Sequence, residues 1–382
     1  MPRVFVNLLQ STGTKGGIEI YARELYAQLG RMDTEFEYVG YASTELIKQG
    51  VDWFPGHVID SGISGENRLT WALGELFSVS RAARAAEADL IHGPAMFAPL
   101  RSSIPVVVSF HDLLYFSHPE LMQTKLFTEP VKWMERRAAK TSTRVMTISE
   151  YSASMIRKYF SYPDDRIDVI PLAGRVNALG DASYGPRASD LFLAVGQRSP
   201  YKNLETVVRA WAHIPPESRP RLVVTGSHGD DPLAPIVAEH SLEQWVELKS
   251  WIPVEELHEL FGTATALIDS TLASGFSMPT LEAMSVGLPV LLADTEVLRE
   301  VGADAADYFT AGSPVDLARA VTALYSTPER RAALTALGRE RASHFSWERV
   351  AVGTLETFRR ALTAQHASPS GRGDQRRKDE AQ

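Results

Sequence analysis

The sequence predicts an α/β fold built from two doubly wound, Rossmann-like units. Three observations support this prediction. The chain of 382 residues is longer than one hydrophobic core usually serves. Short apolar runs rich in β-branched residues alternate with segments of helical periodicity, which is typical of parallel sheets with crossover helices. One stretch, residues 171–190, contains three Gly and two Pro, lacks periodicity, and divides the alternation into two series.

Each series contains apolar runs that we predict to be strands. In the first half they are Val4 to Leu9, Glu37 to Tyr41, Ala88 to His92, Pro105 to Phe110, Arg144 to Ile148 and Ile167 to Ile170. In the second half they are Leu191 to Val195, Arg221 to Thr225, Val246 to Leu248, Ala266 to Asp269, Val290 to Ala293 and Ala306 to Phe309.

The domain boundary is predicted near residue 180, which gives one unit over residues 1–180 and another over residues 181–345. Residues 346–365 have apolar positions near helical spacing and are predicted to form a closing helix. Residues 366–382 are polar and predicted to be disordered.

Composition limits the possible partners. The 39 Lys and Arg against 47 Asp and Glu give a net charge of −8, which argues against nucleic acid as the main partner. The absence of cysteine excludes disulfides and thiolate metal sites. The N-terminus lacks the long apolar region of a signal peptide, and no window approaches the roughly 18 apolar residues of a membrane span. We therefore expect a cytoplasmic protein, with peripheral membrane contact as an option.

The loop STLASGFSM (270–278) carries the clearest chemical signal. It follows a predicted strand and leads into Pro279, a residue favoured in the first turn of a helix. A glycine-containing loop that begins a helix at the carboxyl end of a parallel strand predicts an anion site. Glu282 lies in the first turn of that helix and points to the same region, although a surface acid that complements the helix dipole is the alternative.

The turn LAVGQRSPYKN (193–203) places Gly196, Arg198 and Lys202 after the first strand of the second unit. Two cations at this position suit a diphosphate, with arginine as a planar fork and lysine as a point charge. A solvated basic loop is the alternative. In the first unit, Gly16 and Gly17 precede a predicted helix, and a glycine pair permits close backbone approach to a ligand.

In combination these motifs resemble the family 4 nucleotide-sugar glycosyltransferases of the GT-B type. Further stretches carry the resemblance over nearly the whole chain: DLIHGPAMFAPL (89–100), FHDLLYFSHPE (110–120), VMTISEYSASMIRKYF (145–160), IDVIPLAG (167–174) and FSWERVA (345–351).

The resemblance implies a donor site mostly on the second domain, an acceptor site mostly on the first, and transfer in the cleft between them. It implies the following contacts: Arg198 and Lys202 with the diphosphate beside Gly196, Glu282 with the ribose hydroxyls, the backbone at Gly275, Phe276 and Ser277 with sugar and phosphate, Trp251 and Ile252 with the base, and Gly16 and Gly17 over the donor phosphates.

Two histidines follow predicted strands of the first unit. His111 stands at a strand's carboxyl end, where ligands bind in such sheets, so we predict a donor-sugar or acceptor contact in the catalytic site. A satisfied structural histidine is the alternative. His92 is a weaker candidate for the same reason.

The sequence also departs from the family pattern. Ser274 stands where the first of two glutamates eight residues apart is usual, Ser277 replaces a glycine, and Asp269 replaces a proline. Ser250 replaces a glycine, and Gln197 occupies the position at which many relatives carry the diphosphate arginine. A hydrogen bond to a charged group is worth about 1.5–3 kcal/mol, so Ser274 predicts altered sugar recognition with the diphosphate contacts intact.

The chain has no Asp-x-Asp pair, and Asp230 and Asp231 fit a turn better than a metal site. We therefore expect transfer that needs no metal and no cofactor, with a UDP- or GDP-sugar as co-substrate. The resemblance implies retention of configuration, with the leaving phosphate taking the acceptor proton. Arg198→Ala and Lys202→Ala are each predicted to abolish transfer while the fold remains intact.

The acceptor is less well determined: a sugar, a glycolipid or a small molecule. In residues 131–144, Lys132, Arg136 and Lys140 recur every four residues beside Trp133 and Met134, which could face an anionic membrane. A solvated helix face is the alternative. Two other functions fit parts of the pattern: a catalytically silent sugar-nucleotide-binding homologue acting as a partner or regulator, suggested by Ser274 and Ser277, and an epimerase, which fits the fold but not the loop.

Overall fold

The computed structural model describes residues 1–13, 16–32, 35–122, 125–175 and 190–367. The first half forms a seven-stranded parallel sheet with the order β3-β2-β1-β4-β5-β6-β7. Its strands are β1 (Arg3–Leu8), β2 (Glu37–Ala42), β3 (His57–Asp60), β4 (Leu90–Gly93), β5 (Val106–Phe110), β6 (Arg144–Thr147) and β7 (Ile167–Val169).

The second half forms a six-stranded parallel sheet with the order β10-β9-β8-β11-β12-β13. Its strands are β8 (Leu191–Val195), β9 (Arg221–Ser227), β10 (Val246–Ser250), β11 (Ala266–Asp269), β12 (Val290–Ala293) and β13 (Asp307–Phe309). The chain reverses strand order beside β1 in one sheet and beside β8 in the other, and such switch points place ligands at the carboxyl ends of the strands.

Helices connect the strands, as parallel pairing requires. They are α1 (Gly16–Arg31), α2 (Thr44–Gln49), α3 (Arg68–Leu73), α4 (Val79–Ala85), α5 (Leu114–Ser117), α6 (Lys125–Thr141), α7 (Glu150–Phe160), α8 (Leu204–Ala212), α9 (Ala234–Glu239), α10 (Val254–Thr263), α11 (Met278–Ser285), α12 (Glu296–Gly302), α13 (Pro314–Ser326), α14 (Pro328–Ser343) and α15 (Trp347–Ala367). No helix in the described ranges combines the length and apolar character needed to cross a membrane.

The predicted α/β fold of two Rossmann-like units is confirmed. Every apolar run predicted as a strand forms one. The central strands are apolar throughout because they are covered on both faces. Strand β3 was missed because HVID lies at the sheet edge, is partly exposed, and begins and ends with polar residues. The predicted boundary near residue 180 lies outside the described residues.

The closing helix is present as α15, which begins and ends close to the predicted residues 346–365. Although α15 follows helices of the second unit, it packs on the first. The Phe358 ring lies 5.8 Å from Phe36 and 5.2 Å from His92, and Arg360 forms a 2.7 Å ion pair with Asp168. Most of the predicted disordered tail, from residue 368 onward, lies outside the described residues.

Direct contacts hold the carboxyl edges of the two sheets face to face. The Glu300 carboxylate accepts hydrogen bonds from the backbone N–H groups of Glu150 (2.7 Å) and Tyr151 (3.1 Å) at the start of α7. The Trp347 indole donates to the carbonyl oxygen of Gly174 at 3.1 Å. A cleft therefore lies between the ends of the two sets of strands.

Candidate active site

The donor loop, residues 270–277, connects β11 to α11 at this cleft. Ser277 caps α11, because its hydroxyl accepts a hydrogen bond from the Thr280 N–H at 3.4 Å. Gly275 lies against the first domain: a Cβ atom there would be 1.6 Å from the carbonyl oxygen of His111. Only glycine fits this contact, which brings the donor loop to the end of β5.

Two further residues of the donor loop, Phe276 and Ser274, are buried in different surroundings. Phe276 is buried and packs against Phe345 with 6.0 Å between ring centres. Ser274 is also buried, but its hydroxyl has no hydrogen-bond partner in the described part of the chain. Buried hydroxyls are normally bonded, so Ser274 is the loop side chain with unused bonding capacity.

The structure does not support the predicted diphosphate contact of Arg198. Its guanidinium carries five N–H donors, and all of them have acceptors within the second domain. They are the Asp231 carboxylate, at 2.8–3.1 Å, and the carbonyl oxygens of Gly196, Thr225 and Val224. The side chain is 7% exposed, so Arg198 anchors the ends of β8 and β9.

The same network explains Asp231. Burial alone would raise the pKa of its carboxyl group, but bonds from Arg198 and from the Leu233 N–H lower that pKa below the ordinary value. Asp231 lies in a turn, as predicted, and holds a guanidinium. Among the described side chains, no three His, Asp or Glu come together as metal ligands.

Lys202 takes a different direction from the same turn. Its stem runs over Gly196, where a Cβ atom would lie 3.5 Å from the lysine Cγ and Cδ atoms. Its ammonium donates to the Thr271 hydroxyl at 3.3 Å, beside the donor loop. An ammonium has three N–H donors, so Lys202 can also bind an anion.

The predicted glycine pair meets this region from the first domain. Gly16 begins α1, and a Cβ atom there would lie 4.0 Å from Nε2 of Gln197. A Cβ atom at Gly17 would lie 3.2 Å from the methyl group of Met278 at the start of α11. A cavity of about 320 Å³ lies here, lined by residues of the first domain and by Gln197 of the second. The N-terminus of α1 thus faces Gln197 and the end of the donor loop, where α11 begins.

Glu282 is not a surface acid. It is 3% exposed, and its Oε1 atom accepts from the Arg175 backbone N–H (3.2 Å) and guanidinium (2.9 Å). The remaining oxygen, Oε2, is the one available for a ribose hydroxyl. Burial, opposed by the charge of Glu282, lowers the pKa of His258 close by.

Trp251 and Ile252, the residues predicted to contact the base, follow directly after β10. The Trp251 N–H donates to the carbonyl oxygen of Ser227 at 2.9 Å, and its side chain is 58% exposed. The indole stacks on His228 with ring centres 5.5 Å apart and planes inclined by 15°. The sequence indicated a backbone contact, and the structure adds an exposed aromatic pair.

His111 is buried at the carboxyl end of β5. Its Nε2 atom lies 2.7 Å from the carbonyl oxygen of Pro94, so this nitrogen carries the proton and Nδ1 is the acceptor. Burial lowers the pKa of His111 to about 4, which keeps the ring neutral at pH 7. The Tyr21 ring packs edge-on against it at 4.6 Å.

His92 has a structural place. It is fully buried, and its ring nitrogens bond to the hydroxyls of Tyr26 and Ser109. Burial lowers its pKa to about 3. No ring nitrogen is left for a ligand.

The cations of α6 are only partly directed to solvent. Lys132 and Arg136 lie over the Phe116 ring, 5.7 Å and 4.7 Å from its centre, and Met134 is buried. Lys140 is exposed, and Trp133 is 47% exposed. The predicted basic face therefore both packs on the domain and reaches its surface.

The sequence did not indicate the roles that three residues of this region have in its hydrogen bonds and contacts. Asp269 stood out only as a replacement for proline, and Gln197 only as a replacement for arginine. Arg175 lies in the stretch that the sequence marked as a linker, which gave no signal of its bond to Glu282.

Comparison with known proteins identifies the family. The model of Glycosyltransferase Family 4 matches residues 15–173, and that of Glycosyl transferases group 1 matches residues 185–341. The chain belongs to glycosyltransferase family 4. The transferase is 29% identical over 296 residues to the O-antigen chain mannosyltransferase B of Escherichia coli, across 71% of this chain and 74% of that protein.

Solved structures agree with the fold of this transferase. Sucrose-phosphate synthase from Thermosynechococcus elongatus has a TM-score of 0.76 at 18% identity, covering 95% of this chain and 100% of that one. Anabaena HepE in complex with UDP-glucose has a TM-score of 0.73 at 17% identity, covering 94% and 100%. The fold is GT-B, and the family models and the mannosyltransferase relative identify the protein as a glycosyltransferase rather than an epimerase.

Proposed function

We propose that this glycosyltransferase moves a hexose-type sugar from a GDP- or UDP-sugar to an acceptor hydroxyl, with retention of configuration and without a metal ion. The observation that carries the proposal is the meeting of Lys202, the donor loop and the N-terminus of α1 across one cleft. Among its relatives, the E. coli protein is named a mannosyltransferase and HepE binds UDP-glucose, which supports a hexose donor.

The donor spans the carboxyl edge of the second sheet. The base lies at Trp251 and Ile252, and the ribose hydroxyls donate to Oε2 of Glu282. The diphosphate lies between the Lys202 ammonium and the N–H groups at the start of α1, where Gly16 and Gly17 allow close approach. Gly196 leaves room for the stem of Lys202.

The transferred sugar lies against the backbone of Gly275, Phe276 and Ser277. The Ser274 hydroxyl and Nδ1 of His111 are the side-chain groups that contact it. Arg198 supports this site indirectly, because its bonds hold the strand ends from which Lys202 extends.

Transfer breaks the bond between C1 of the sugar and the phosphate oxygen, and forms a bond from C1 to the acceptor oxygen. Lys202 and the N–H groups at the start of α1 stabilise the charge that develops on the leaving diphosphate, without a metal ion. The low pKa of His111 makes it a weak base, so the acceptor proton passes to the leaving phosphate on the same face. Proton transfer on the face from which the phosphate leaves is the arrangement that retention requires.

The acceptor is a hydroxyl of a sugar or small molecule that enters from the first domain. For a glycolipid acceptor, the exposed Trp133 and Lys140 of α6 form the surface that contacts the membrane. Flotation with phosphatidylglycerol vesicles tests this membrane contact: wild type should bind the vesicles, and Trp133→Ala should bind them less. Equal recovery without vesicles would rule out the membrane contact.

A donor panel tests the function. Because a ligand specific for the native state raises the melting temperature, UDP-, GDP- and dTDP-sugars are screened by thermal unfolding and then by transfer or hydrolysis. We expect one donor to raise the melting temperature and to be turned over at the same rate with and without EDTA. NMR of the product should show the anomeric configuration of the donor. Stabilisation without turnover, with activity gained in Ser274→Glu, would instead indicate the silent homologue.

A further inference from the structure

The Asp269 carboxylate holds both ends of the donor loop. At the first end, Oδ1 accepts from the Thr271 backbone N–H at 3.1 Å and from the Thr271 hydroxyl. At the other end, Oδ2 accepts from the hydroxyls of Ser277 at 2.6 Å and Thr280 at 3.2 Å. One buried carboxylate thus fixes the loop where it leaves β11 and where it enters α11.

Asp269 is also the counter-charge of Lys202. Lys202 donates to the Thr271 hydroxyl at 3.3 Å, and that hydroxyl donates to Asp269, so the ammonium and the carboxylate are joined through one side chain. Burial would raise the pKa of Asp269, but Lys202 and the hydroxyls of Ser277 and Thr271 lower it below the ordinary value. The carboxylate is therefore ionised beside the ammonium.

Two further hydrogen bonds join the donor loop to the turn that carries Lys202. Leu272 N–H donates to the carbonyl oxygen of Tyr201 at 2.8 Å, and the Ser270 hydroxyl donates to that of Lys202 at 2.7 Å. The turn that carries Lys202 and the donor loop are consequently one bonded unit, with Asp269 at its centre.

Two departures from the family pattern are bonded to each other. A proline at 269 and a glycine at 277 could not form the Asp269–Ser277 bond. The donor loop thus has no carboxylate at position 274, but Asp269, directly before the loop, supplies a buried one. Capping of α11 does not require this pair, because Ser277 caps the helix with its own oxygen.

We propose that Asp269 is a positioning residue that fixes the Lys202 ammonium and the donor loop for diphosphate binding, with Ser277 as its partner. The inference rests on the proposed function, since it concerns the same site. It assigns Asp269 no contact with the donor: Asp269 acts through Lys202 and through the backbone of the loop.

The test compares binding of a nucleoside diphosphate and of its nucleoside, by calorimetry or competition, in wild type and Asp269→Asn. UDP and uridine are used, and GDP and guanosine if UDP does not bind. We expect the diphosphate to bind about 10- to 100-fold more weakly in the variant, as for loss of a charged hydrogen-bond acceptor, with nucleoside binding unchanged. Asp316→Asn is the matched control, because Asp316 also accepts a loop N–H bond but lies after the edge strand β13. It should bind as wild type does.

A double-mutant cycle with Lys202→Met identifies the route of the effect. Because Asp269 acts partly through Lys202, the double variant should lose less diphosphate affinity than the sum of the two single losses. Additive losses, or equal weakening of diphosphate and nucleoside, would overturn the proposal.

Ser277→Ala removes the hydroxyl that donates to Asp269 and caps α11, but it keeps the Asp269 charge, and it carries the test if Asp269→Asn does not fold. We expect roughly 3- to 10-fold weaker diphosphate binding with nucleoside binding unchanged. Unchanged diphosphate binding would refute the role. If wild type binds nucleotides but transfers no sugar, the proposed function fails while the Asp269 comparison still stands. If wild type binds no nucleoside diphosphate, both fail.

Discussion

The two edges of the cleft handle charge in opposite ways. On the second sheet the ionic groups are joined with partners: Arg198 with Asp231, Lys202 with Asp269 through Thr271, and Glu282 with Arg175. On the first sheet, His92 and His111 are kept neutral by burial. At the second edge, a charged side chain can bind a ligand only if its partner leaves some of its donors or acceptors unused. At the first edge, the protonation state of each histidine decides which ring nitrogens can donate or accept.

Arg198 and Lys202 show this within one turn. The arginine has all its donors bound inside the domain, and the lysine has one of three bound in the donor loop. Of two positive charges four residues apart, one is thus fully used within the fold, and the other keeps donors for the proposed diphosphate contact.

Replacement of Arg198 should give the largest effect on stability. Arg198→Ala leaves Asp231 and three carbonyl oxygens without their donor, and breaking such a buried pair lowers the free energy of unfolding by about 3–5 kcal/mol. Urea denaturation measures the change. Arg209→Ala, at a 39% exposed side chain, is the control and should stay within about 1 kcal/mol. If the variant had normal stability but no longer bound nucleoside diphosphate, Arg198 would instead be a diphosphate contact.

Replacement of Lys202 should affect transfer instead. Lys202→Met removes the charge that we propose stabilises the leaving group, so kcat/KM should fall about 100- to 1000-fold with little change in the melting temperature. Steady-state kinetics with the donor found in the panel gives the value. Lys48→Met, at an exposed lysine of the first domain, should retain activity. Near-normal turnover of Lys202→Met would remove this lysine from the site.

The neutral edge predicts how stability depends on pH. In the unfolded chain a histidine has a pKa near 6.5, whereas burial lowers the pKa to about 4 for His111 and about 3 for His92. The unfolded state therefore binds more protons below pH 6.5, and stability is lost as the pH falls from 6.5 toward those values. At pH 5 each histidine should account for about 2 kcal/mol.

Urea denaturation between pH 7 and pH 5 checks this dependence. His111→Asn removes one of the two titrating groups, so its unfolding free energy should fall less steeply over the same interval. Parallel curves for variant and wild type would show that His111 does not carry the effect.

The smallest effect is expected at the proposed base site, where we expect stacking rather than charge to hold the ligand. Trp251→Ala removes the exposed ring stacked on His228, and aromatic contacts of this kind are worth about 0.5–1.5 kcal/mol. Nucleoside and nucleoside diphosphate should both bind roughly 3- to 10-fold more weakly, unlike in Lys202→Met. Trp133→Ala, in α6, is the control. A loss confined to the diphosphate would contradict the assignment of Trp251 to the base.

The sequence predicted the parts of this molecule that depend on local pattern. Apolar runs gave the central strands, and Pro279 after a glycine loop gave the start of α11 at the cleft. The sequence did not predict which partner each charged side chain bonds to. Nothing near Arg198 shows that its partner is Asp231, 33 residues later, or that Glu282 bonds to Arg175, 107 residues earlier. Asp269 was visible as an unusual residue, but its four donors come together only in the folded loop.

The path of α15 changes what counts as a separable unit. Phe358 covers Phe36 and His92, and Arg360 pairs with Asp168, so the first sheet is completed by residues from the far end of the chain. A fragment that stops after β7 would expose these aromatic rings and leave Asp168 without that pair. The first domain is therefore discontinuous in sequence, and its folding can be complete only after the second domain and α15 have been synthesised.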